Sequence, residues 1–352
     1  MKKIKKENFK NLFEYYGFTK KDEKKYPVIS RILKKLTPKR IKKEIEAIQA
    51  IKLPPGLQKW VSEYEKMGER NNLAWKQLFI ASEMIRIPIV LKKNLKFLRD
   101  TKFLFSMFII LVDDIVDKMK SEELLSQVFK IPFRDTNIKF AQLNQKEKRY
   151  LKFTKKVWRK MRERIKKLPR YKEFYPLLEC NIGQFLNGMR YNYFINKNCY
   201  LINKTDCQLC LSCNICSVQI LVYFILDFMC SSRNMIQKFR KVRKIVWHAQ
   251  EMTRNGNWVG TWEKEEQEED FASGIFAYAI DLDILNIDEL KSKNILDIIK
   301  QVRNSRIEKD LLKKWDENYR EINKTTEIDV RKYLSGLEKL LILSLSVKHL
   351  KV

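Results

Sequence analysis

The chain has 352 residues, 45% of them hydrophobic, with only 9 Gly and 8 Pro, which allows a large core and excludes turn-rich sandwiches, barrels and extended disorder. Its 72 Lys and Arg against 43 Asp and Glu leave a net charge of +29, so anionic partners have to be considered first. No stretch reaches the roughly 18 to 20 apolar residues of a membrane helix, and the Lys-rich start has no apolar run behind it, so a cytoplasmic protein without transmembrane segment or export signal is expected.

A repeat of 3.6 residues dominates the apolar pattern and predicts helices almost throughout. They run over 6–16, 39–50, 56–69, 73–90, 96–119 and 143–166, then 171–195, 205–230 and 234–282, the last broken near Gly256 or Gly260. Three more cover 287–303, 307–321 and 328–348. Breaks fall at Pro27, Pro38, Pro54-Pro55, Pro132, Pro169 and over 196–206. Strand alternation and internal repeats are absent. The expected architecture is all-α, with residues 1–60 as a basic helical extension packed on a main domain of residues 61–352.

The basic residues are spread along the sequence, as in Lys34-Lys35, Lys155-Lys156 and the run 240–244, and no zinc-finger, RNA-binding or basic-zipper signature accompanies them. Scattered, solvated charge is therefore the simplest reading, with no obligate nucleic-acid partner, although phosphates should still be attracted. Cys207, Cys210, Cys213 and Cys216 stand at three-residue intervals. On a helix such thiols drift round the axis and do not converge on one metal, so small packing residues are expected rather than an iron–sulfur cluster. His248 and His349 are the only histidines, too few for a two-histidine metal site with other ligands to spare.

Two short motifs carry chemistry. In residues 103–112, nine of ten side chains are apolar, and the run ends in Asp113, Asp114 and, one turn on, Asp117. Carboxylates one turn apart repel, and a hard cation that prefers oxygen ligands, such as Mg2+, would relieve them. Further on, Asn257, Thr261 and Glu265 follow one another at four-residue spacing, an amide, a hydroxyl and a carboxylate on one helical stripe. Lys264 precedes the last of them.

Together these resemble the two metal-binding motifs of class I terpene synthases, DDxxD and (N/D)xxx(S/T)xxxE, in the same order and on helices. The resemblance covers roughly residues 75–350 and looks most like the bacterial members. It implies a helical bundle around a central apolar cavity, with Asp113, Asp114, Asp117, Asn257, Thr261 and Glu265 holding three Mg2+ ions, for which Mn2+ can substitute. Asp113, Asn257 and Glu265 would be the residues on which catalysis most depends. A prenyl diphosphate substrate, C15 or C20 by preference, would be ionised there and its cation cyclised to a terpene hydrocarbon or alcohol. Lys264, Arg254 and Arg190 are the candidates for gripping the diphosphate, and Phe105, Phe108, Tyr191, Phe194, Tyr223 and Phe276 for lining the cavity. Homodimerisation is compatible with this reading.

The chain departs from the family pattern in places. The stretch where many bacterial members carry a diphosphate-sensing Arg is 207–216, which has no basic residue. The C-terminal Arg-Tyr pair is absent as a dipeptide, with Arg331 and Tyr333, or Lys348 and His349, as the nearest substitutes. A prenyl-chain elongating synthase shares the implied fold but usually carries two aspartate-rich motifs. A basic helical nucleic-acid-binding protein is the alternative from another class, and steeply salt-dependent binding would favour it.

Overall fold

A computed structural model of the chain describes residues 9–133, 137–197, 218–267, 270–288 and 294–348. Four short helices come first: α1 (Leu12–Tyr15), α2 (Lys20–Lys25), α3 (Pro27–Lys35) and α4 (Pro38–Gln49). Pro27, Pro38 and Pro55 each open a helix rather than interrupting one, because the first helical position has no N–H bond to lose and already needs the φ that proline fixes. The stretch expected to be a break around Pro27 therefore contains two helices. Next are α5 (Pro55–Tyr64), α6 (Asn72–Met84), α7 (Leu95–Asp114), α8 (Glu122–Lys130) and α9 (Gln145–Ile165). A capping box between Asn144 and Glu147 satisfies the first free N–H groups of α9.

The second half holds α10 (Tyr171–Lys197), α11 (Ile220–Met229), α12 (Phe239–Gln267), α13 (Gly274–Asp281), α14 (Ile295–Asn304), α15 (Ile307–Asn323) and α16 (Arg331–Lys348). The expected break in the long helix does not fall at Gly256 or Gly260, since α12 passes through both. A Cβ on Gly260 would stand 2.9 Å from the Ser344 carbonyl oxygen, so the glycine lets α12 lie directly against the backbone of α16. The cysteine run 207–216 and His349 lie outside the described residues.

Helix α7 lies between α6 and α9 and buries Phe103, Phe105, Met107, Phe108, Leu111 and Val112. Lys102 is fully buried on it and pairs with Asp227 of α11 at 2.6 Å, while the N–H of Ile87 donates to the same carboxylate at 3.0 Å. That polar knot fixes the lower half of α7 against α11 and the segment before it. On the other side α12 packs against α15 and α16, and α16 against α6 and α4. Residues of α1 and α3, including Leu12, Ile29 and Leu33, belong to the same apolar core as Trp315 and Leu337.

The positive charge is less scattered than the sequence suggests. Lys146, Arg149, Lys152, Lys155, Lys156, Arg159 and Lys160 are all exposed on α9, where Glu163 is the only exposed acid. Buried positions at Tyr150, Phe153, Val157 and Met161 turn the cationic face outward. Among the described residues, no helix is long and apolar enough to cross a membrane.

Candidate active site

The aspartate-rich motif sits where α7 changes pitch. After Asp114 the chain continues as a π turn over Ile115–Met119, closed by an N–H bond from Lys120 to Ile115 O at 2.9 Å. Lys120 ends the turn in the left-handed region, φ 48°. Turns of this kind are rare and recur at functional sites.

Asp113 and Asp114 have opposite fates. The Asp114 side chain is buried, and its Oδ2 accepts from Tyr64 Oη at 2.5 Å and Tyr150 Oη at 3.1 Å. Its Oδ1 accepts from Arg70 Nε at 2.9 Å. Both Asp114 oxygens are thus hydrogen-bonded inside the protein, and in this arrangement Asp114 anchors the end of α7. Arg70 reaches Asp113 as well. Burial works against the guanidinium charge, but Asp113 and Asp114 outweigh it and hold its pKa above the ordinary value. Part of the like-charge repulsion in the motif is therefore relieved by an arginine from the loop between α5 and α6.

On α12 the three expected ligands form a continuous stripe. Thr261 Oγ1 lies 2.8 Å from Asn257 O and 2.5 Å from Glu265 Oε1, and Arg254 Nη1 donates to Asn257 Oδ1 at 2.8 Å. Among the described residues, Glu265 Oε2 is buried without a hydrogen bond of normal geometry, and the Ser273 hydroxyl lies close enough to work against the rise of the carboxyl's pKa. Burial, and then the Asp270 carboxylate, push Glu265 up to about 7.

The two motifs lie in one another's fields. Burial raises Asp117 well above the carboxylate range, and Asp113, Asp270 and Glu265 all add to it. Asp270 is raised by burial and by Asp113, against a 2.7 Å hydrogen bond from Asn196 Nδ2. Asp113 and Asp117 from the end of α7 thus share one electronegative space with Glu265 and Asp270 from the end of α12. Arg70 and Arg254 are the arginines that lower these values. Among the described residues, no three His, Cys, Asp or Glu side chains stand at ligating distance from one point. The donor set is nonetheless oxygen-only, partly desolvated and under mutual repulsion, and those are the conditions a hard divalent cation fits.

The other expected residues divide. Arg254 belongs to the cluster. Arg190 does not contribute from where it lies: it is exposed on α10 and its guanidinium sits 5.3 Å from the Phe129 ring of α8. Lys264 is exposed on α12. Arg331 is exposed and pairs with Asp329 at 2.7 Å, whereas Lys348 is buried between Glu263 and Glu308, so neither stands in for the absent Arg-Tyr pair. Of the aromatic residues, Phe194 is 43% exposed and stands edge-on to Tyr193. Phe105 and Phe108 are packed within the core, Phe108 lying 4.7 Å from the Trp158 ring, and Phe276 meets Trp262 and Phe271 edge-on. Tyr223 is buried and its hydroxyl meets those of Ser82 and Ser106, while Tyr191 is half-buried.

Sequence reasoning missed Arg70, Tyr64, Tyr150, Asn196 and Asp270. Asp270 stood in an acidic run that reads as solvated surface. The others lie at least 36 residues from the carboxylate they contact, and no local spacing links them to it.

The described residues have the all-α fold of terpenoid synthases. One solved structure that shares it is isoprene synthase from grey poplar leaves (Populus x canescens), with a TM-score of 0.53 at 12% identity, covering 91% of this chain and 54% of that one. A structure of the same enzyme with three Mg2+ ions and dimethylallyl-S-thiolodiphosphate matches with the same score and identity, covering 91% and 55%. The chain spans about half the length of these structures. No protein-family model and no curated protein matches it.

Proposed function

We propose that the protein is a Mg2+-dependent class I terpene synthase that ionises a linear prenyl diphosphate and cyclises the resulting cation. The observation that supports this reading is that carboxylates from the two regions, Asp113 and Asp117 on one side and Asp270 with Glu265 on the other, lie near enough to raise one another's pKa values, although Asp117 and Glu265 stand 148 positions apart in sequence. The isoprene synthase fold, in an enzyme crystallised with three Mg2+ ions and a diphosphate analogue, supports it as analogy.

In this reading Asp113 and Asp117 would hold magnesium from one side and Asn257, Thr261 and Glu265 from the other. When bound, the metal supplies Lewis-acid stabilisation of the charge that grows on the leaving diphosphate. Arg254, already bonded to Asn257, is placed to donate to diphosphate oxygens, and Arg70 can do so once its hold on Asp113 loosens. Asp114 positions the end of α7 through Tyr64, Tyr150 and Arg70 and touches no reacting atom. In this reading the apolar residues that precede Asp113, buried here in the core, would keep water from the cation.

The test is incubation with prenyl diphosphates of increasing length and Mg2+, with volatile products read by gas chromatography. C15 or C20 substrates should give cyclic hydrocarbons or alcohols. Asp113→Ala and Glu265→Ala should each reduce turnover at least about a hundredfold, the scale of losing a main electrostatic contact in the transition state. Full activity in both variants would reject the assignment.

A further inference from the structure

A second site lies away from the carboxylate cluster. A half-open groove of about 350 Å³ runs between α5 and α9, lined by Lys59, Trp60 and Glu63 on one wall and Lys156, Arg159, Lys160 and Glu163 on the other. It lies along the exposed cationic face of α9. We propose that this groove binds a phosphate ester carried on a polyhydroxylated ring, either free in solution or as the headgroup of a lipid.

The chemistry follows from which charges are already committed. Lys156 bonds to Glu63 at 2.6 and 2.8 Å, and Lys160 pairs loosely with Glu163 at 3.5 Å. Lys59 and Arg159, one from each wall, have no ion pair with any described residue, and both are exposed. They face a common groove with an uncompensated charge of two, which suits one phosphate group, and the guanidinium fork of Arg159 can meet two of its oxygens. Trp60 is half-buried against Phe153, 6.2 Å between ring centroids, and Lys156 Nζ stands 5.3 Å from its ring, so the indole borders the groove beside that ammonium and a ligand's ring C–H groups would meet what remains of its surface.

Glu63 and Glu163 decide between ligands. Two carboxylates in the groove would repel a continuous phosphate backbone, whereas they accept hydrogen bonds from the hydroxyls of a polyol. The volume is in the range of small-molecule sites, and a nucleic-acid duplex needs no such concavity. The site is independent of the proposed cyclase chemistry, because no residue in it belongs to either acidic motif.

The experiment is calorimetric titration of the full chain with inositol monophosphate in EDTA, which removes metal-dependent binding at the carboxylate cluster. Lys59→Glu with Arg159→Glu should weaken binding at least about tenfold, as expected for losing two charge-assisted contacts. Lys20→Glu with Lys21→Glu, exposed residues that lower the net charge equally, should leave it unchanged. Thermal melting of both variants checks that each is folded. Flotation with phosphatidylcholine vesicles, with and without a phosphoinositide, separates the sources: binding to the doped vesicles alone assigns the lipid headgroup, and binding to the soluble ester assigns the free molecule. Equal weakening by the two double variants, or inorganic phosphate binding as tightly as the ester, would overturn the proposal. So would a short RNA that binds more tightly and ignores the groove variant, or the absence of binding in both arms.

Discussion

Neighbouring aspartates in one motif have different work, and substitution should separate them. Asp114→Asn takes charge from a buried group on which Tyr64, Tyr150 and Arg70 converge, so it should destabilise the fold by about 3 kcal/mol or more in a denaturant titration. Asp113→Asn, at a half-exposed site, should change the midpoint little and turnover greatly. The carboxylate cluster also makes a pH prediction. Glu265 titrates near 7 against an ordinary 4.5, and Asp117 and Asp270 move the same way. A carboxyl raised in the folded state contributes stability that is complete below its unfolded pKa and lost as pH climbs through the folded value. The metal-free protein should therefore melt at a lower temperature at pH 8 than at pH 5, with Glu265 contributing on the order of 3 kcal/mol. Mg2+ with diphosphate should restore the melting temperature at pH 8, and Glu265→Gln should reduce the pH dependence, leaving the part that Asp117 and Asp270 contribute. A melting curve unaffected by pH between 5 and 8 would contradict the shared electronegative space. These roles were only partly legible in the sequence. Spacings of four residues report a helix face, so Asp113, Asp117 and the Asn257, Thr261, Glu265 stripe could be read from it. Whether a side chain turns inward, as Asp114 does, depends on Tyr64 and Tyr150, which tertiary packing supplies.

At the scale of elements, the contact between α12 and α16 sets the height of the second motif, since Gly260 lies one residue before Thr261. A methyl group at 260 meets backbone, the Ser344 carbonyl at 2.9 Å, and backbone cannot turn aside. At 256 it meets only the end of the Leu341 side chain, at 3.0 Å, which can rotate. Gly260→Ala should accordingly cost about 1 to 3 kcal/mol by overpacking and lower turnover by shifting Thr261 and Glu265. Gly256→Ala should be nearly neutral, because the gain in helix propensity of up to about 1 kcal/mol offsets a small repacking. Urea titration of the two variants checks this, and equal costs would mean that the close approach is not what Gly260 serves. The sequence marked the two glycines as a break, because propensity alone cannot tell a helix end from a helix that needs to pass near another. The helices Lys20–Lys25 and Pro27–Lys35 were missed for a related reason: a proline that starts a helix and one that stops it look alike without knowing which side carries the apolar face.

For the whole molecule, the question is whether the first 60 residues are an extension on a self-sufficient domain, as their Lys content suggests. Their packing argues that they complete it. Leu12, Ile29, Ile32 and Leu33 are each no more than 2% exposed, and α3 packs on α15 as well as on α1 and α2. The bond from Ile29 N to the buried Asp316 carboxylate, 2.7 Å, crosses 287 positions of chain, and Lys309 reaches back to Gly17 O at 2.6 Å. Removing residues 1–36 would uncover several fully buried side chains at about 1.5 to 3 kcal/mol each and leave Asp316 short of a donor. A typical domain has only about 5 to 15 kcal/mol of net stability to lose. The truncated chain should therefore lose its near-ultraviolet circular dichroism and elute as aggregate in gel filtration, even though both acidic motifs remain intact. A truncated protein that melts cooperatively at the full-length temperature would show that residues 37–352 fold alone and that the first three helices only decorate them.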